Sequence, residues 1–296
     1  MTTGDAAEDQ DGWLEIHGPF DATGLRALRR RGAIGRLQVN HQPLLTAAIA
    51  RGFDSLVSVE QLRLGCATTR TAMRHVVAVP GLRVLEVLRL QSPGRLEGFA
   101  ANHTLEVFRG NLGLSEADLV EIAACPSLRE LSARGCDLTA RAFEALLPLV
   151  HLESLDLEST QFNDSMAARL HARASLRRLG VGHTALTREG LQHIARLRQL
   201  RSLNIRANPI AEADIDLLAE LPLLECLSLG RAAACQALPP FDARTLLPRL
   251  QAIPALKHLV LEGVTVDDEQ RSRYERHFER VEFGPAATQA DGLVCT

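Results

Sequence analysis

The chain has 296 residues, of which 46% are hydrophobic and 23% charged, with a formal net charge of -3. That balance excludes a disordered or membrane-embedded chain, and a pI near 6.4 argues against a dedicated nucleic-acid binder. Fifty leucines against nine Phe, one Trp and one Tyr point to one small packing unit used repeatedly.

The opening residues, 1–12, are acidic and polar, lack the basic and apolar segments of a secretory signal, and are expected as a flexible tail. No apolar run approaches the roughly 18 residues of a membrane span. Residues 13–58 read as two degenerate repeats forming an N-terminal cap. Leu14-Glu-Ile16 and Leu37-Gln-Val39 lie 23 residues apart, with Asp21–Arg31 and Pro43–Arg51 as their helices. The basic run Arg26, Arg29, Arg30 and Arg31 ends the first of these helices, where cations suit the helix dipole.

From Val59 the register is regular. Leu152-Glu-Ser-Leu155-Asp-Leu157 recurs 24 residues on as Leu176-Arg-Arg-Leu179-Gly-Val181, and again as Leu200-Arg-Ser-Leu203-Asn-Ile205. The lead residues, position 1 of each unit, are Val59, Leu82, Leu105, Leu128, Leu152, Leu176, Leu200 and Leu224, followed by Leu256 after a gap of 32. Each unit's second half carries an i, i+3 apolar pair, the mark of a short helix: Met73/Val76, Leu96/Phe99, Leu119/Ile122, Phe143/Leu146, Leu191/Ile194 and Ile215/Leu218. Ser115, Thr139, Asn163 and Thr187 stand as N-caps. Pro80, Pro126, Pro222 and Pro254 each lie two residues before a lead Leu, where a helix must stop.

These units resemble leucine-rich repeats, L-x-x-L-x-L-x-x-N/C-x-L, over at least residues 59–264. The fit is closest to bacterial units ending T-x-I-T-x-x-G-L, as in Thr184-Ala-Leu186-Thr187-Arg-Glu-Gly190-Leu191. The resemblance implies an α/β fold, a right-handed leucine-rich-repeat solenoid (horseshoe) with a parallel β-sheet on the concave face and short helices on the convex face. In that family the Asn side chain closes the turn after the strand. Here the position holds Asn only at Asn208; Cys136, Thr160 and Thr184 can replace it partly, and Ala67, Leu90, Ala232 and Val264 cannot, so those turns are expected to be looser. An insertion falls around residues 231–249. A C-terminal cap, 265–284, comprises a polar helix over Asp267–Arg280, with Tyr274 and Phe278 on one side, and a closing strand Val281–Phe283. Residues 285–296 read as a second flexible tail.

Catalytic templates are missing: there is no G-x-S-x-G, no phosphate-binding loop and no H-E-x-x-H. Gly180-Val-Gly182 is half a dinucleotide fingerprint set inside a strand. The histidines show no metal-ligand pairing, and the six cysteines form no C-x-x-C. No cofactor, metal or catalytic residue is therefore expected, and the cysteines read as reduced thiols of a cytoplasmic protein. Lys257 is the single lysine among 33 basic residues, which suggests a GC-rich bacterial genome.

The exposed sheet positions are 3, 5 and 7 of each unit. They offer a small apolar patch, Val84, Leu88 and Val107, beside the charges Arg63, Glu86, Arg109, Glu130 and Arg134. Further on come Asp156, Glu158, Arg178, Asn204 and Arg206, and Phe241 marks the insertion. No Trp or Tyr is expected on this face. The charges either recognise a partner or pair across neighbouring strands. The reading is a non-enzymatic module binding another protein or peptide, with an inhibitor or immunity-type protein as its sharper form. The rivals are an enzyme or enzyme-accessory subunit with an unrecognised site, and a structural scaffold. Neither nucleic acid nor membrane is expected as partner, and the oligomeric state is open.

Overall fold

A computed structural model describes residues 6–8, 11–40, 44–91, 94–111, 113–231 and 239–284. The chain divides into two compact units, Met1–Leu152 and Glu153–Thr296.

In the first unit β1 (Ala6–Glu8) pairs antiparallel with β2 (Leu14–His17). The parallel strands β3 (Ala33–Asn40), β4 (Ser58–Thr69), β5 (Val84–Gln91), β6 (Val107–Asn111) and β7 (Glu130–Arg134) follow in order. The apolar positions decide the register. Leu37, Leu62, Leu85, Phe108 and Leu131 stack across successive strands, and each is 0% exposed. Burying a Leu contributes about 1.5–3 kcal/mol, so a one-residue slip that turned this column outward would be severely penalised. Behind the sheet lie α1 (Ala22–Ala27), α2 (Ala47–Ala50), α3 (Arg70–Val77), α4 (Glu116–Ala123) and α5 (Ala140–Leu146).

The second unit repeats the plan with β8 (Ser154–Asp156), β9 (Arg178–Gly180), β10 (Ser202–Asn204), β11 (Cys226–Gly230), β12 (His258–Glu262) and β13 (Arg280–Gly284), all parallel. Leu155, Leu179, Leu203, Leu227 and Leu259 form its inner column. Its helices are α6 (Asp164–Arg169), α7 (Arg188–Ile194), a 3-10 helix Glu212–Glu220, α8 (Ala243–Gln251) and α9 (Asp268–His277).

The four N-caps act as the spacing predicts. Ser115, Thr139, Asn163 and Thr187 each accept a backbone N–H of the first turn, and Ser115 forms a reciprocal capping box with Asp118. Asn208 closes its turn as the resemblance implies: its Nδ2 donates to the carbonyls of Val181 at 2.7 Å and Ile205 at 3.1 Å. Thr160 and Thr184 each cover one carbonyl, Leu157 and Val181.

The structure departs from expectation in four places. Where Ala67 and Leu90 replace the turn Asn, the chain does not loosen; β4 and β5 run on through them, bulged between Leu64 and Ala67, and pair as Ala67↔Arg89 and Thr68↔Leu90. Lacking a side chain to satisfy the backbone, those groups bond the neighbouring strand instead. The Leu96/Phe99 pair is buried but carries no α-helix, only a 3-10 turn at Phe99–Ala101. Gly94 at φ +107° and Gly98 at φ +97° interrupt any right-handed helix there. Part of the expected insertion is regular helix, since α8 begins at Ala243; residues 232–238 lie outside the described residues. Finally, Ala6–Glu8 of the expected N-terminal tail form an edge strand. The expected C-terminal tail, 285–296, also lies outside the described residues.

Candidate binding face

On β4 to β7 the outward side chains form rows across the strands. Along position 5 and its neighbours runs a charge ladder. Arg63 Nε donates to Glu86 Oε2 at 2.7 Å, Arg109 Nη1 to Glu86 Oε1 at 2.5 Å, and Arg109 pairs with Glu130 Oε1 at 2.7 Å. Arg63 also donates to Gln38 Oε1 at 3.2 Å. Burial alone would raise the pKa of Glu86, but hydrogen bonds from Arg63 and Arg109 outweigh it and hold the carboxyl below the usual range. Cross-strand pairing therefore accounts for these four charges. Arg134 ends the face on β7, opposite Asn111.

The expected apolar patch is two features. Val84 and Val107 are direct cross-strand neighbours. Leu88 lies four residues along β5, about 13 Å away at the strand rise, with Glu86 between. It is 52% exposed, whereas Leu85, Val87 and Leu90 of the same strand are buried.

Against the expectation of a face without Trp, Trp13 of the N-terminal cap is turned towards it. It sits one residue before Leu14, on the side of the sheet that carries Arg36 and Arg63, but it is buried, at 9% exposure. The Arg63 guanidinium lies 4.3 Å from its ring centroid and that of Arg36 5.9 Å. The parity that places Gln61 outward also places Trp13 outward, so the signal was present in the cap's sequence.

The second unit differs. Glu158 and Arg206 are buried, at 2% exposure each, so neither is available to a partner. Arg206 bonds both Glu158 and Glu262, reaching Glu262 at 2.5 Å, and Asn204 Nδ2 donates to Glu158 Oε2 at 3.0 Å. Glycines make this possible. Position 7 reads Glu158, Gly182, Arg206, Gly230, Glu262, Gly284, a large charged residue alternating with none. A Cβ on Gly182 would stand 2.9 Å from Arg206 Cγ, and one on Gly230 would stand 2.7 Å from Glu262 Cβ. Each ion pair thus crosses over a glycine to the next strand but one. Asp156 accepts the backbone N–H of Glu158 at 3.1 Å, and the exposed Arg178 donates to Ser154 at 3.2 Å. Phe241 is a core residue at 4% exposure with the Arg231 guanidinium 4.4 Å over its ring, so the expected loop anchor is corrected.

Cys66, Cys125 and Cys136 are buried, and Cys226 is partly exposed. Desolvation pushes the Cys136 thiol up to about 12, away from nucleophilic chemistry. Among the described residues no group of three or more His, Cys, Asp or Glu is placed to hold a metal, and no helix is long and apolar enough to cross a membrane.

Among solved structures, the chain is similar to an internalin from Listeria monocytogenes, at 16% identity and a TM-score of 0.54, over 94% of this chain and 82% of that one. The fold is the leucine-rich repeat fold. An internalin C2 from the same organism is similar at 17% identity and a TM-score of 0.45, over 81% of this chain and 83% of that one. No protein-family model matches the chain, and no curated protein matches it in sequence. The leucine-rich repeats supply a sheet with one buried and one open face, and the open face of the first unit is where an apolar side chain stays in water.

Proposed function

We propose that this chain is a non-enzymatic leucine-rich repeat protein that holds another protein against the open sheet face of its first unit. The observation that supports this most is Leu88, half exposed on a rigid strand beside a charge ladder whose partners are already fixed. Burying the exposed half of this side chain in a partner's surface contributes about 1 kcal/mol. The ladder Arg63–Glu86–Arg109–Glu130 costs little further ordering on binding and sets register. Arg63, whose guanidinium lies over the buried ring of Trp13, is held in place at the end of the ladder. In its sharper form the protein is an inhibitor or immunity-type binder in the bacterial cytosol.

The test is affinity capture with the purified chain, identification of a stoichiometric partner, and titration of that partner with variants. Leu88→Glu, and Arg109→Ala combined with Arg134→Ala, are each expected to weaken binding at least about tenfold, while the exposed helix variant Arg141→Ala leaves it unchanged. Affinity unaltered by both face variants would refute recognition through this surface.

A further inference from the structure

The sheet of the second unit ends on β13, which is paired on one side only among the described residues. The N–H of Arg280 donates to the carbonyl of Lys257 at 3.2 Å, and the N–H of Gly263 donates to the carbonyl of Gly284 at 3.1 Å. The even-numbered residues of β13 therefore turn their backbone groups towards β12. Successive residues of a strand turn these groups to opposite sides, so the N–H and C=O of Val281 and Phe283 point out of the open edge. The side chains tell the same story. Val281 and Phe283 are in register with Leu259 and Leu261, which are 1% and 0% exposed, yet both remain partly exposed. Phe283 meets Tyr274 edge-on at 5.7 Å on its inner side.

We propose that a second copy of this chain covers that edge, the two β13 strands pairing antiparallel about a twofold axis at Glu282. The free groups select this register. Val281 then stands opposite Phe283 of the second copy and exchanges both N–H···O bonds with it, and the symmetric pair does the same, giving four bonds. The two apolar side chains that β12 leaves half-covered come to lie beside each other across the joint. The charges fit as well. Glu282 faces Glu282 of the second copy, each flanked diagonally by the other strand's Arg280, and Arg280 already pairs with Glu282 at 2.5 Å within its own strand. A strand of five residues buries less than a standard interface, so the dimer is weak and reversible.

Sedimentation equilibrium of the full chain over about 1–300 µM tests this. The expected result is a reversible monomer–dimer equilibrium. Val281→Pro removes an outward N–H that β12 does not use, and is expected to weaken association at least about tenfold. Arg280→Glu gathers four carboxylates at the axis and is expected to abolish it. The double exchange Arg280→Glu with Glu282→Arg restores alternating charge and is expected to bring association back. If Val281→Pro does not fold, as seen by circular dichroism, the two charge variants decide. A monomer throughout the range, or a dimer indifferent to Arg280→Glu, would overturn the proposal.

Discussion

Arg206 carries a full charge where the protein leaves almost no room for water, and its two carboxylates are what make that tolerable. Burial works against its charged form, but the hydrogen bonds and attraction from Glu158 and Glu262 prevail. Removing the guanidinium would leave two buried carboxylates facing each other without it. Arg206→Ala is therefore expected to cost about 3–5 kcal/mol in urea unfolding, while replacing all three residues together by Met, Gln and Gln is expected to cost far less. Equal losses in the single and triple variants would show that the cluster's charges are not interdependent. None of this was legible in the sequence. Glu158 and Arg206 occupy outward positions by count, and their burial depends on Gly182 and Gly230, which leave space for side chains arriving from the next strand.

At the scale of strands, the first unit's ladder ties β4, β5, β6 and β7 together through side chains alone. Because Glu86 titrates below its ordinary value, the ladder's contribution is fully present above the usual glutamate pKa of about 4.3 and is lost as pH falls through the lowered value. Stability should thus fall for the parent chain between about pH 5 and pH 3 more steeply than for Glu86→Gln, the two curves converging at the acid end. Thermal melts of both proteins across that range check it; parallel curves would mean that the ladder is decorative. The helices were the most legible elements, since a cap and an i, i+3 pair are local signals. The continuation of β4 and β5 past Ala67 and Leu90 was not, because an unfilled turn position can be answered by loosening or by further pairing. The neighbouring strand chose the second.

Taken as a whole molecule, each repeat buries its apolar face only against its neighbours. Leu179 is 2% exposed, with Leu155 and Leu203 in register on either side. Leu179→Asp places a charge in that column and is expected to cost about 3–5 kcal/mol or to prevent folding, whereas Arg178→Ala, one residue away on the open face, is expected to stay within about 1 kcal/mol. Differential scanning calorimetry separates the two, and an unchanged melting temperature for Leu179→Asp would refute the register. The sequence by itself determined the repeat length, the inward columns and the caps, because all of these are set by spacing along the chain and by the cost of exposing leucine. Only the tertiary structure decided which outward residues face solvent. That depends on what stands one or two strands away: an Arg over Trp13, a glycine beneath Arg206, a second guanidinium on Glu86, and open water around Leu88.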